Sequence, residues 1–181
     1  MQLQILGENN CIPQRTHIAL DTCVFINAFK NPDSFKDLFE FFDHNNNPLT
    51  TTILNYFEFS KGNDTLVDFG VAKDWFDRII KDFLYPVRLL EEEAEKIKLI
   101  YRKDGQKLKI TDLFLAALAK KHKNDMLIMT KDHGDFIKDL FDIQAYMPYV
   151  HKSQVELYCF YRFSEDKYFK KLEKLERTKR I

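Results

Sequence analysis

Acidic side chains recur in this sequence at the points where a short apolar run gives way to a predicted helix or turn. Asp21 follows the apolar run 18–20, and Asp132 comes shortly after the run 126–129. A short apolar run without polar alternation is typical of a buried strand in a parallel sheet. The acids that lie just after such a strand, or within the helix that follows it, are Asp21, Glu58, Asp112, Asp132 and Asp135.

The shared placement of these acids indicates one kind of chemistry. In open α/β sheets, ligands bind at the edge formed by the carboxyl ends of the strands. Carboxylates gathered there repel one another, and they stay ionised only if a cation neutralises them. Oxygen ligands of this kind suit Mg²⁺ or Mn²⁺, and such a cation stabilises charge on a phosphoryl group. The acids therefore favour metal-assisted hydrolysis of a phosphodiester, without a side-chain nucleophile.

Each acid also has an ordinary interpretation when it is taken alone. Asp21 can cap the helix that follows it, and Asp112 can satisfy amide groups at a helix start. Glu58 alone is typical of a solvated helical residue, whereas Asp132 and Asp135 are typical of loops and turns. The functional hypothesis rests on all five being placed at one edge.

The elements that must position these acids can be predicted from periodicity and from turn residues. The predicted strands are 18–20, 49–52, 85–90, 126–129 and 143–146. The predicted helical segments are 22–30, 33–43, 53–60, one or two helices within 65–83, then 91–103, 111–123 and a short turn at 135–141. Strands that alternate with helices predict parallel pairing and a doubly wound α/β fold.

The end of the chain adds two further elements to this pattern. Residues 155–163 alternate in polarity and predict an added strand, and Ser164 can cap a last helix that runs towards Arg177. Tyr168, Leu172 and Leu175 fall on one face of that helix, so we expect this face to pack on the domain, with a second subunit as the alternative. The opposite face is expected to present four lysines to solvent and to add affinity for a bound strand through its phosphates; they are Lys167, Lys170, Lys171 and Lys174.

Composition sets outer limits on the class of protein. The chain has 181 residues, of which 45% are hydrophobic and 31% charged, which is ordinary for one folded domain. The 28 basic residues balance the 28 acidic ones, so any nucleic acid must be held by local patches. The three cysteines have no metal-binding spacing and predict a reduced, cytoplasmic protein. We see no signal peptide or membrane-spanning run, and so expect no membrane partner.

Four motifs in their order resemble the PIN-domain family, and within it the VapC-like toxins. They are LDTCVFIN, NYFEFSKG, ITDLFLAALAKKH and LIMTKDHGDF. The resemblance covers roughly residues 17–146, and the segment after about His151 lies outside the toxin pattern. It implies an α/β/α sandwich with a central, mostly parallel sheet and a Mg²⁺- or Mn²⁺-dependent endoribonuclease.

The resemblance also implies roles for particular residues. The positions that match the family's metal-binding and catalytic acids are Asp21, Glu58, Asp112, Asp132 and Asp135. Many members carry Asn where this chain has Asp132, which leaves open whether Asp132 or Asp135 ligates the metal. Thr130 matches a family hydroxyl near the metal and is included among the catalytic candidates.

Domain organisation and partners follow from the same resemblance. We predict a lead-in over residues 1–15, a PIN-like domain over 16–150 and a C-terminal extension over 151–181 that packs on the domain. The expected partners are an RNA substrate, an antitoxin protein and a second copy of the chain. The lysines nearest to Asp112 in the sequence are candidates for holding an RNA backbone; they are Lys103, Lys107, Lys109, Lys120, Lys121 and Lys123.

Two other functions are compatible with parts of the pattern. A haloacid-dehalogenase-like phosphatase would need Asp-x-Asp after the first strand, but the second acidic position is occupied by Cys23. A PIN-like fold used only to bind RNA or protein needs no catalysis. The presence of every acid of the cluster argues against that second alternative.

Overall fold

A computed structural model describes residues 4–5, 12–62, 65–84, 88–103, 105, 107–136, 139–151 and 154–178. The strands are β1 (Gln4–Ile5), β2 (His17–Leu20), β3 (Leu49–Thr52), β4 (Asp82–Leu84), β5 (Met126–Thr130), β6 (Phe141–His151) and β7 (Gln154–Phe163). The helices are α1 (Thr22–Lys30), α2 (Pro32–His44), α3 (Ile53–Ser60), α4 (Leu66–Ile79), α5 (Arg88–Lys103), α6 (Ile110–His122) and α7 (Glu165–Thr178). Most of the predicted 1–15 lead-in lies outside the described residues.

The strands form one sheet with the order β1-β6-β7-β5-β2-β3-β4. Strands β5, β2, β3 and β4 run parallel, so their carboxyl ends share one edge. The remaining three pairings are antiparallel: β7 pairs with β5, β6 pairs with β7, and β1 pairs with β6. The parallel strands that were predicted to carry the acids are therefore confirmed.

Two apolar layers cover the two faces of the sheet. Ile18 and Leu20 of β2 point into the layer formed with α1, α2, α3 and α4. Ala19 points to the opposite layer, which contains residues of α5, α6 and α7. Burial on both faces explains why the central strands read as continuous apolar runs. The predicted α/β/α architecture is confirmed.

Two predicted strands differ from the structure. Of the strand expected at 85–90, residues 85–87 lie outside the described residues and residues 88–90 belong to α5; the strand in this region is β4, which ends at Leu84. Leu90, Ala94, Ile97 and Tyr101 form the buried stripe of α5. The strand expected at 143–146 is the longer β6, and it runs antiparallel to β7. Because β7 is antiparallel to both strands, β6 runs in the same direction as β5 and lies two places away from it in the sheet.

The C-terminal elements are closely joined to the rest of the fold. Strand β7 lies between β5 and β6 within the sheet. In α7, Tyr168 is buried, and Leu172 and Leu175 pack against the same apolar layer as α5 and α6. The division of the chain at residue 151 stays a prediction. None of the described helices is long and apolar enough to cross a membrane.

The lysines of α7 do not all face solvent as expected. Lys167 donates to Asp142 Oδ1 on β6 at 2.6 Å, and Lys171 donates to Asp139 at 2.5 Å. Their charges are therefore used in ion pairs that hold the helix to the domain. The phosphate contacts predicted for α7 are left mainly to Lys170 and Lys174, which are exposed.

Glu93 on α5 links three helices. Its carboxylate accepts hydrogen bonds from Lys120 on α6, from Lys96 at 2.8 Å and from the hydroxyl of Tyr168 on α7 at 3.1 Å. Lys120 also lies over the Tyr168 ring, 4.5 Å from its centroid. Lys120, one of the candidate RNA contacts, is thus already paired. Burial alone would raise the pKa of Glu93, but these donors lower it to about 2.

We expect Glu93→Gln to lower the free energy of unfolding at pH 7 by roughly 2 kcal/mol, which is less than the full pKa shift would give because solvent screens part of the interaction. Because the folded pKa is below the ordinary glutamate value of 4.5, this contribution is complete above about pH 4.5 and is lost as pH falls towards 2. Urea unfolding at pH 7 and at pH 3 measures it. Glu95→Gln, which removes an exposed ion pair with Lys98 on the same helix, is the matched control and should have little effect. A Glu93→Gln deficit that does not shrink at low pH would contradict the assignment.

Candidate functional site

Asp21 lies between the end of β2 and the start of α1, at the carboxyl edge of the sheet. Its backbone N–H still donates to Met129 O of β5 at 3.1 Å, so the residue is fixed by the sheet. Its side chain caps α1, with Oδ1 accepting from Thr22 N at 2.6 Å. Only 3% of the residue is exposed. The capping role and the functional placement are therefore compatible.

Thr130, the last residue of β5, connects Asp21 to the loop 131–136. This loop carries Asp132 and Asp135 and is called the acidic loop below. Its hydroxyl donates to Asp21 Oδ2 at 2.6 Å and accepts from the backbone N–H of Asp132 at 3.0 Å. Burial raises the pKa of Asp21, and the charge of Asp132 raises it further, whereas the bonds from Thr130, Cys23 and Thr22 lower it. The net shift is upward, so the site disfavours the Asp21 charge unless a cation is near.

Asp21, Cys23 and Asp132 form a tight group in the described part of the chain. One possible ligand atom from each lies within 4.8 Å of the others. The Cys23 thiol is 3.4 Å from Asp21 Oδ2 and 3.4 Å from the Thr130 hydroxyl. Burial, followed by the charge of Asp21, raises its pKa far above the ordinary value. Cys23 is therefore a neutral donor, and the carboxylates are the ligands that this group offers.

Glu58 reaches the site from α3 and is oriented by α1. Its Oε2 accepts from the Thr22 hydroxyl at 2.9 Å, and its Oε1 lies 3.8 Å from the Lys109 ammonium group. The fully buried Asn55, one turn earlier, donates to the Thr22 hydroxyl at 3.1 Å and to Asp21 Oδ1 at 3.4 Å. Asn55 thus fixes the distance between α1 and α3.

Asp112 lies in the first turn of α6 and is 4% exposed. Its Oδ2 is buried without a hydrogen-bond partner among the described residues. Burial raises its pKa to about 7, with further contributions from the charges of Asp21, Asp135 and Glu58. A buried carboxylate oxygen without a partner, surrounded by other acids, is the arrangement that a divalent cation would satisfy.

Asp135 lies on the turn after β5. Burial and then the charge of Asp132 raise its pKa, and the charge of Glu58 adds to this effect. The hydroxyl of Tyr101 on α5 donates to the backbone carbonyl of Asp135 at 2.8 Å, which holds the turn against that helix. The side chain of Asp135 therefore belongs to the same electrostatic cluster as the other acids.

Lys109 supplies a positive charge beside this acidic cluster. It lies just before α6, and its pKa is raised by Glu58 first, then by Asp112, Asp135 and Asp132. Its side chain is largely exposed, so it is accessible to a ligand.

The structure brings the five predicted acids and Thr130 to one region at the carboxyl edge of the sheet. Thr130 forms hydrogen bonds to both Asp21 and Asp132. The charges of Asp21, Asp135 and Glu58 raise the pKa of Asp112, and those of Asp132 and Glu58 raise the pKa of Asp135. Sequence reasoning missed the supporting roles of Thr22 and Asn55. Asn55 lies three residues after Thr52, which caps α3; this spacing was the available signal, but it indicates a helix start and not a contact with Asp21.

The family model described as PIN domain matches residues 18–139, which contain all five acids and Thr130. No curated protein matches the chain.

Proposed function

The chain belongs to the PIN-domain family, whose members are generally metal-dependent nucleases, and on that basis we propose that it is an endoribonuclease with a carboxylate-held Mg²⁺ or Mn²⁺ centre. The observation that carries the proposal is the buried, unpartnered Asp112 Oδ2 within a cluster of acids. The proposed metal ligands are drawn from Asp21, Glu58, Asp112, Asp132 and Asp135.

The chemistry of the donor set supports this choice of metal. Every ionised group in the cluster offers carboxylate oxygens, which Mg²⁺ and Mn²⁺ prefer. Among the described residues, Cys23 is the one sulfur ligand beside these acids, whereas zinc favours sets of several thiolates and imidazoles. When bound, a divalent cation would activate a water and stabilise charge on the phosphodiester.

The chain's own residues then have distinct proposed tasks. Thr130 holds Asp21 Oδ2 through its hydroxyl, so that carboxylate is oriented before any ligand arrives. Thr22 does the same for Glu58. Lys109, exposed beside Glu58, is placed to bind a phosphate of the RNA backbone. None of these residues needs to act as a covalent nucleophile.

Metal binding can be tested without RNA. We expect saturating MnCl₂ or MgCl₂ to raise the melting temperature of the metal-free protein by about 5 °C or more, since the cation binds only the folded state and relieves repulsion among the acids. Differential scanning fluorimetry after treatment with EDTA measures the shift. An equal shift in Asp112→Asn would mean that the cation binds elsewhere.

Activity is tested with a labelled single-stranded RNA, with and without the metal. Cleavage at internal positions that stops in EDTA and in Asp112→Asn supports the proposal. Metal binding without cleavage of any RNA would favour the alternative of a PIN-like binding module.

We also propose that the protein is the toxin of a toxin–antitoxin pair, acting in the cytoplasm as a homodimer. The support for this finer assignment is the resemblance to VapC-like toxins. Induced expression in a bacterial host should stop growth, and Asp112→Asn should restore it. A small reading frame directly upstream, whose product relieves the arrest, would identify the antitoxin.

A further inference from the structure

The β6–β7 hairpin extends past the sheet edge that carries the acids. Strand β7 pairs with β5 through Ile128 with Tyr161, Met129 with Phe160, and Thr130 with Cys159. Because the two strands are antiparallel, the β7 residues before Cys159 continue beyond the carboxyl end of β5. This part of the hairpin lies outside the matched range 18–139.

Glu156 stands on this projecting part and uses both of its carboxylate oxygens. Its Oε1 accepts from the Lys131 ammonium group at 2.8 Å, and its Oε2 accepts from Asn27 Nδ2 at 3.1 Å. Asn27 also contacts the hydroxyl of the buried Tyr158 at 2.5 Å. Only about a third of the Glu156 side chain is exposed (33%), and 27% of that of Lys131, so the pair is partly shielded from solvent.

Both partners of Glu156 belong to segments that carry the acids. Lys131 stands directly between Thr130 and Asp132, and its backbone N–H donates to the Cys23 thiol. Asn27 lies one turn after Cys23 on α1, the helix that Asp21 caps. Glu156 therefore ties the start of the acidic loop to α1 at a point beside the Asp21, Cys23 and Asp132 group.

Among the described residues, the acidic loop has few backbone hydrogen bonds of its own besides the one from the Asp132 N–H to the Thr130 hydroxyl. Within it, His133 N–H donates to the Lys131 carbonyl at 3.1 Å and Asp135 N–H to the Asp132 carbonyl at 3.2 Å. Its far end is held by Tyr101 through the Asp135 carbonyl. The ion pair with Glu156 is the matching anchor at its near end.

We propose that Glu156 is a positioning residue of the candidate metal site, holding Lys131 and thereby fixing Asp132 relative to Asp21. The inference rests on the proposed function, since it assigns a purpose to the geometry of those two acids. Partners that orient metal ligands typically change metal affinity by about 10 to 100-fold when they are removed.

Two variants separate positioning from simple charge effects. Glu156→Gln removes a negative charge near the site, so electrostatics alone would weaken cation binding. Lys131→Met removes a positive charge, so electrostatics alone would strengthen it. Positioning predicts that both variants weaken binding, because both break the same ion pair.

Calorimetric titration of the metal-free proteins with MnCl₂ is the direct measurement. We expect about a tenfold or larger increase in the dissociation constant for both variants, and near-parental affinity for Lys131→Arg, which can keep the pair. Asp142 lies on the same hairpin and forms an ion pair with Lys167 of α7. Asp142→Asn breaks that pair, and as the matched control it should leave Mn²⁺ affinity unchanged. Lys131→Met protein that binds Mn²⁺ as tightly as the parent would overturn the inference.

Hydrogen exchange in the metal-free protein tests the same inference independently of any nuclease activity. The backbone amides of residues 132–136 should exchange faster in Glu156→Gln and Lys131→Met than in the parent and in Asp142→Asn. Unchanged exchange in both variants would also overturn the inference. A parent protein that binds Mn²⁺ but cleaves no RNA would instead refute the proposed nuclease function. The Mn²⁺ titration and the hydrogen exchange would still decide whether Glu156 positions the acidic loop.

Discussion

The Asp112→Asn variant is expected to lose RNA cleavage by on the order of a thousandfold and yet to be more stable than the metal-free parent. The loss follows because several kcal/mol of transition-state stabilisation depend on the metal that Asp112 is proposed to hold. The gain follows because Asp112 is buried, has an oxygen without a hydrogen-bond partner and faces other acids. The uncharged amide avoids that repulsion and can donate to the neighbouring carboxylates, which should be worth about 1–3 kcal/mol.

The stability gain should depend on pH in a defined direction. The folded pKa of Asp112, about 7, is above the ordinary aspartate value of 3.8. The parent is therefore penalised progressively as pH rises from about 4 through 7, and the Asn variant is not. The melting temperatures of the two metal-free proteins should converge near pH 4 and differ most above pH 7.

Thermal unfolding in EDTA across this pH range, together with RNA cleavage rates in Mn²⁺, measures both effects. Asp37→Asn, an exposed acid on α2, is the matched control and should change neither quantity. A destabilised Asp112→Asn protein in EDTA would show that the carboxylate has a structural partner, and the case for a metal at this position would fall.

Phe76→Ala is expected to lower the free energy of unfolding by about 3–5 kcal/mol. Phe76 on α4 is fully buried, and its ring centroid lies 4.9 Å from that of Phe25 on α1 and 4.8 Å from that of Tyr56 on α3. Removing the ring leaves a cavity between α1, which Asp21 caps, and α3, which carries Glu58. For a domain of this size, the melting temperature should fall by about 6–20 °C.

The same substitution at a solvent-facing ring of α4 provides the comparison. Phe69 is 38% exposed, and Phe69→Ala should cost less than about 1 kcal/mol. Chemical denaturation of both variants at pH 7 gives the two values. Similar losses in the two variants would mean that α4 does not pack on the core as described.

Much of the fold could be predicted because its signals are local. The central strands are buried on both faces, so their apolar runs are continuous, and the helices show one apolar face. The edge position of the acids followed from these boundaries: Asp21 comes directly after β2, and Asp112 lies in the first turn of α6. The order of the motifs was enough to predict the family, which the match over residues 18–139 confirms.

Other features were decided only by tertiary structure, because they depend on which distant segments meet. The antiparallel insertion of β7 between β5 and β6 is set by long-range pairing, which no local period reports. The same insertion brings Glu156 to Lys131, and the packing of α7 brings Tyr168 to Glu93. In the sequence Glu156 is one charged residue of an alternating strand; its contact with the acidic loop exists only because β7 runs past the end of β5.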